Sequence, residues 1–181
     1  PEQLVDPVDH FDEDAKQLLK FHGVYQQEDR DSRKERKKQN LGPAYIMMAR
    51  SRVPGGKLTA EQWLAHDELS DQFANGTFRL TSRQGIQFHG IVKSNLKSLI
   101  KGLNDALVST LAACGDVERN IMCCPAPIRD NPVRDEMQKL TDQLVDHLAP
   151  KTPAYHEIWL NGEAVITHHH GEIVEPIYGK H

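Results

Sequence analysis

Hydrophobic positions along this chain change period several times, and the changes mark its elements. The clearest stripe is Leu96, Leu99, Ile100, Leu103 and Leu107, at helical spacing, with Ser94 or Asn95 placed to cap it. Ala65, Leu69 and Phe73 form a second stripe. Thr59 and Gln62 open it as a capping box, and Asn75–Gly76 stops it. A third stripe, Val133, Met137, Leu140, Leu144 and Leu148, predicts a helix over Val133–Leu148. Between the first two the period falls to two. In Thr77–Thr81, Phe78 and Leu80 face one way and Arg79 and Thr81 the other. In Ile86–Val92, Ile86, Phe88 and Val92 share a face opposite Gln87 and His89. Ser82–Gly85 is the turn between these strands, with Arg83 at its tip and Gly85 available for a positive φ.

Ahead of these elements, Ala44–Val53 reads as a strand after the Gly42–Pro43 break. Its last residues, Arg50 and Arg52, fall on one face. The order is then β-α-β-β-α, the opening of a split βαβ, ferredoxin-like unit. Its helices would cover one sheet face, leaving Arg50, Arg52, Arg79, Thr81, Gln87 and His89 on the other. Earlier still, acidic Pro1–Asp14 reads as an arm or linker. Gly23 interrupts any helical stripe in Ala15–Gln27, so that stretch is expected to be extended or irregular, laid against the body. At the far end, Tyr155–Leu160 and Glu163–Thr167 flank Asn161–Gly162, a strong hairpin signal.

Composition narrows the classes. With 181 residues, 38% hydrophobic and 27% charged, the chain suits one good core or one domain plus part of another. Its net charge of −4 calls for neither nucleic acid nor an acidic membrane. No apolar run reaches the roughly 18 residues of a spanning helix, and the acidic start is unlike a signal or transit peptide. Arg30–Lys38 holds six basic and two acidic residues. Without interleaved aromatics it reads as a solvated helix or mobile arm more readily than as a nucleic-acid site.

Candidate chemistry gathers in few places. Cys114, Cys123 and Cys124 are odd in number and two are adjacent, which argues against a disulfide framework and for a reducing, cytoplasmic setting. Adjacent cysteines seldom share one metal, so no metal ligands are assigned. His168–His170 reads as an exposed loop. Dinucleotide, Walker and nucleophile-elbow motifs are missing from the sequence. What stands out is the density of arginine and amide donors in Arg79–Gly90, because guanidinium is suited to planar capture of carboxylates and oxyanions.

Three segments, RSRVPGG (Arg50–Gly56), RLTSRQGIQFHG (Arg79–Gly90) and GDVERNIMC (Gly115–Cys123), together resemble the sulfite and nitrite reductase haemoproteins. KFHGVYQQEDRD (Lys20–Asp31) and AYHEIWLNGE (Ala154–Glu163) resemble the assimilatory sulfite reductase branch. The resemblance implies an α+β chain: an arm over residues 1–43, a ferredoxin-like half-domain over 44–110, and the incomplete start of a sirohaem and iron–sulfur domain over 111–181. It further implies six-electron reduction of sulfite to sulfide, at a sirohaem coupled to a 4Fe–4S cluster whose ligands lie outside this segment. Sirohaem carries eight carboxylates, and Arg79, Thr81, Arg83, Gln87 and His89 match its cradling motif, with Asn120 grouped beside them. Arg50 and Arg119 match the cationic pocket for the substrate anion. The electron donor would be ferredoxin or an NADPH-dependent flavoprotein. Nitrite reduction to ammonia is the alternative within the family, and a donor-docking or nucleic-acid-binding module the alternative outside it.

Overall fold

The computed structural model describes residue 4, residues 7–113, 118–126, 128 and 130–149, and the backbone of 158–160 and 163–166. Its centre is a four-stranded antiparallel sheet of an α+β fold. The strands are β1 (Val24–Glu28), β2 (Tyr45–Ser51), β3 (Phe78–Leu80) and β4 (Ile86–Ile91), ordered β1-β2-β4-β3. The predicted β-α-β-β-α order is present, with α3 (Ala60–Phe73) after β2 and α4 (Lys93–Asp105) after β4.

One sheet face carries the core. Val24, Met47, Ala49, Phe88 and Ile91 pack with Leu69 of α3 and Leu96, Leu99 and Leu103 of α4. The capping box at Thr59 and Gln62 forms as the sequence predicts. By contrast, α4 begins at Lys93 with no side-chain cap, so Ser94 and Asn95 lie inside it. Leu107 also leaves the predicted stripe. It follows the helix end with φ 58° and is solvent-exposed.

The alternation predicted for Ile86–Val92 slips near its end. Met47 pairs with Ile91 but Ala49 pairs with Phe88, so β4 carries one extra residue there. A bulge of this kind resets which side chains face inward. Gly90 sits in it with φ 71°. Ile91 is therefore buried and Val92 exposed, the reverse of the prediction.

The N-terminal third is more ordered than its sequence suggests. Asp12 caps a helix, α1 (Glu13–Phe21), and Gly23 turns the chain directly into β1. Glycine here ends one element and starts another, so the break in the helical pattern is a junction and not a loss of structure. Part of the predicted arm is also pinned to the body. Phe11 is buried, Lys93 Nζ donates to the carbonyls of Val8 and His10 at 2.7 and 3.0 Å, and Gln26 bonds both backbone groups of Phe11. The basic run forms a short helix, α2 (Arg33–Lys38). Several of its charges are answered locally: Arg33 by Glu28, Lys38 by Glu35, and Arg36 by the Gly42 carbonyl.

Beyond the sheet, Asn131 caps α5 (Pro132–Leu148). A two-stranded hairpin, β5 (Ile158–Leu160) and β6 (Glu163–Ile166), follows. Its Asn161–Gly162 turn, Cys114 and His168–His170 lie outside the described residues.

Candidate functional site

Pairing across three strands builds the polar face. Arg50 of β2 lies opposite Gln87 of β4, and Gln87 lies opposite Arg79 of β3. Residues directly opposite share a face, so one ladder row carries two guanidinium groups with an amide between them. The adjacent row, Ala49, Phe88 and Phe78, points into the core. With its oxygen turned toward Arg50, the Gln87 amide accepts from Arg50 Nη2 and Nε at 2.5 and 3.0 Å. The other end of that amide lies 3.4 Å from His89 Nε2. Partial burial holds the His89 pKa below its ordinary value, and the positive charges of Arg79 and Arg50 add to the effect. His89 thus borders the row with its neutral form favoured.

Two loops close over this row. In the first, Thr81 N donates to Gly85 O at 2.9 Å and Gly85 N to Thr81 Oγ1 at 3.1 Å. The left-handed residue of the turn is Gln84, at φ 63°, and not Gly85 as the sequence suggested. Gly85 is needed for a different reason: a Cβ there would sit 3.0 Å from Ser51 O. The second loop brings Glu118, Arg119 and Asn120. Arg83 Nη2 reaches back to Asn120 O at 3.3 Å, joining the loops.

The result is a hollow of about 380 Å³. Arg50, Arg79, Thr81, Arg83, Gln87 and Arg119 line it, with Asn120 at its wall. Four guanidinium groups therefore border a space whose described lining contains no carboxylate. Arg52, predicted on the same face, does not join them. β2 ends at Ser51, and Arg52 turns to form a largely buried ion pair with Glu118. That pair leaves Arg52 Nε and Glu118 Oε1 without hydrogen bonds, and a buried pair of this kind is costly to break. Its effect here is to engage the Glu118 carboxylate with Arg52, so that neither lines the hollow.

Three contributors escaped the sequence reading. Gln84 and Glu118 lie within the motif segments, but no local pattern gives them a role, because their partners lie 39 and 66 residues away. The third is His66, fully buried behind the row, with Nε2 3.0 Å from Ser51 Oγ and Nδ1 2.6 Å from Gln62 O. Its ring stacks on Phe88 at 5.5 Å. Beside the polar hollow is an apolar one of about 350 Å³, lined by Val53, Leu58, Trp63, Leu80 and Ile86.

The described residues contain no group of three or more His, Cys, Asp or Glu side chains able to hold a metal. Cys124 is exposed and its Sγ accepts from Arg134 Nη1 at 3.0 Å. The backbone N–H of Ala126, and then Arg134, draw its thiol pKa downward. No described helix is long and apolar enough to cross a membrane.

Comparison with known proteins identifies relatives of this chain. The profile of the Nitrite/Sulfite reductase ferredoxin-like half domain matches residues 40–106. A sulfite reductase (NADPH) hemoprotein beta-component of Staphylococcus haemolyticus is 52% identical over 178 residues, covering 98% of this chain and 30% of that protein. The counterpart in Staphylococcus saprophyticus is 55% identical over 169 residues, covering 93% and 29% respectively. The structure of Mycobacterium tuberculosis NirA protein shares the fold, with a TM-score of 0.63 over 78% of this chain and 27% of that one, at 24% identity. The chain thus spans about 30% of the length of the curated relatives it matches. It is a homologue of the sulfite reductase hemoprotein beta-component, corresponds to the N-terminal portion of that subunit, and carries the ferredoxin-like half domain of the nitrite and sulfite reductases.

Proposed function

We propose that this chain is the N-terminal part of a sulfite reductase haemoprotein, and that its polar sheet face is the anion-holding wall of that enzyme's centre. The observation that carries the reading is the convergence of Arg50, Arg79, Arg83 and Arg119 on one hollow whose described lining contains no carboxylate. Guanidinium groups gathered at one hollow are suited to planar capture of carboxylates and oxyanions. Guanidinium, hydroxyl and amide donors fit a polycarboxylate such as sirohaem and a small oxyanion equally well. Arg79, Thr81, Arg83, Gln87 and His89 are assigned to the sirohaem carboxylates, with Asn120 supporting them. Arg50 and Arg119 are assigned to sulfite. When bound, sirohaem and a 4Fe–4S cluster would relay electrons from the donor protein for reducing sulfite to sulfide, the cluster's ligands lying outside this chain.

The arginines' own part is electrostatic. They hold an anion in place and offset its charge from fixed positions, which costs no reorganisation as the reaction proceeds. Sulfite is favoured over nitrite because relatives 49–55% identical bear the sulfite reductase name. The same names favour an NADPH-fed donor protein over ferredoxin. Residues 1–43, 44–110 and 111–181 are proposed as the arm, the half-domain and the start of the sirohaem domain. Free Cys123 and Cys124 are in keeping with work in the cytoplasm.

The test is made on the full-length subunit, measuring sirohaem absorbance per protein and sulfite turnover per sirohaem. Arg50→Ala and Arg119→Ala should keep most sirohaem yet lower turnover by roughly 30- to 1000-fold, the worth of one charge-assisted contact in a dry site. Arg79→Ala and Arg83→Ala should lower occupancy instead. Loss of cofactor with normal turnover per remaining sirohaem in Arg119→Ala would reverse the assigned roles. No change in either quantity in any variant would refute the reading.

A further inference from the structure

We infer that Asn120 and Gln84 are positioning residues, two amide clamps that fix where Arg83 and Arg119 stand across the hollow. The inference rests on the anion-site reading above and deepens it. Asn120 is nearly fully buried, at 5% exposure, and its side chain is committed to backbone. Its Oδ1 accepts from Val53 N at 3.0 Å, while Nδ2 donates to Val53 O at 2.8 Å and to Arg83 O at 2.7 Å. A primary amide has two N–H donors, and both are spent here. The group that sequence places beside the ligand therefore acts on protein. It joins the exit of β2, the Arg83 turn and its own loop at one point.

Gln84 makes the reciprocal clamp. Its Nε2 donates to Cys123 O at 2.7 Å and its Oε1 accepts from Cys123 N at 3.0 Å. It does so from a left-handed backbone, φ 63°, which is uncommon for a residue with a side chain and is held only where surroundings demand it. Five amide hydrogen bonds thus involve the turn, the loop and the strand exit. Arg83 is further tied to the loop through its own guanidinium and Asn120 O. Arg119 stands between two anchors, Glu118 in its pair with Arg52 and Asn120 in its clamp. Its aim is set by that backbone, which suits a group meant to meet a ligand.

Misplacing a charged group by an ångström in such a site costs on the order of 100-fold in rate. The test uses the full-length subunit carrying Asn120→Ala, Gln84→Ala, Gln84→Glu, Arg119→Ala, or Asn120→Ala with Arg119→Ala. Two quantities are read: sulfite KM and kcat separately, and amide hydrogen exchange at Val53 and over residues 82–85 and 118–123. Both clamp deletions should speed exchange in those two segments, Asn120→Ala also at Val53 whose N–H it frees, and each should lower kcat/KM by about 10- to 100-fold. Gln84→Glu keeps the acceptor for Cys123 N but loses the donor, so it should fall between wild type and Gln84→Ala. Asn120→Ala should add little on top of Arg119→Ala. Gln84 is on a partly exposed turn, so its variants carry the test even if Asn120→Ala fails to fold. Faster local exchange with unchanged kcat/KM, or unchanged exchange in Gln84→Ala, overturns the positioning role. Unchanged KM and kcat in Arg119→Ala removes Arg119 from the anion site, and overturns the clamp inference with it.

Discussion

Gly23 stands directly behind the site, and its missing side chain is what lets three segments meet. Its φ is 73°, and a Cβ there would lie 2.5 Å from Thr110 O and 2.8 Å from Arg50 O, both backbone atoms that cannot swing aside. Gly23 O also accepts from Arg50 N at 2.9 Å. Gly23→Ala should therefore destabilise the chain by at least about 2 kcal/mol, combining left-handed strain with overpacking. Urea unfolding would check this, and a loss below about 0.5 kcal/mol would mean the close approach is absent. His66 gives a second residue-scale test. Burial pushes its pKa below the ordinary value, and the Gln62 carbonyl opposes this only in part. Below about pH 6.5 the unfolded chain takes up a proton that the folded chain refuses. Stability should then be level above that pH and fall as pH drops toward the depressed folded value. His89 shifts in the same direction, so His66→Leu should flatten the acid limb in part without abolishing it. Denaturation midpoints at pH 7.5 and 5.5 decide the matter, and an identical pH slope in the variant would refute it. Neither effect was legible in the sequence. Gly23 showed only as a break in a pattern, and His66 fell outside the stripe assigned to its helix.

At the scale of elements, periodicity found the helices better than it found their buried sides. Leu96, Leu99 and Leu103 are buried as their spacing predicts. On α5 the predicted stripe has the right period but stays in solvent. Val133, Met137, Leu140, Leu144 and Leu148 are between 39% and 68% exposed, while Thr141 and Val145 on the flank are buried. Gln138, on that flank, donates to Pro54 O at 3.4 Å, in the single helical turn Pro54–Gly56. An apolar stripe shows that a face can be buried, but not which neighbour is present to bury it. This contrast is measurable in the 181-residue chain. Leu103→Ala should cost about 2–5 kcal/mol, the core range. Leu140→Glu and Leu144→Glu should each stay within about 0.5 kcal/mol, as exposed positions do. A loss at Leu144 comparable to that at Leu103 would show that α5 buries its stripe in this chain. The strands tell a similar story. Alternation placed Arg79, Gln87 and Phe88 correctly, then failed at the Gly90 bulge, which a period of two cannot anticipate.

At the scale of the molecule, the polar hollow exists only because residues near positions 50, 80 and 120 converge. Strand alternation supplied Arg50, Arg79 and Gln87, but nothing in the local pattern could add Arg119 or divert Arg52 to Glu118. Those two outcomes depend on a loop packing back over the sheet, and only the motif resemblance pointed to Arg119. The same convergence bears on what the chain can assemble alone. A cubane cluster generally takes four thiolates whose spacing lets each reach a different iron. Cys123 and Cys124 are neighbours in sequence, the first with its backbone tied to Gln84 and the second with its sulfur facing Arg134. With Cys114 they make three cysteines in all. The 181-residue chain, reconstituted anaerobically with iron and sulfide, should therefore not acquire a stoichiometric cluster, while the full-length subunit under the same conditions should. Iron and sulfide analysis with visible absorbance makes the comparison. About four irons per purified 181-residue chain, with cubane absorbance, would mean that its own cysteines, or two copies together, provide the ligands assigned here to the rest of the subunit.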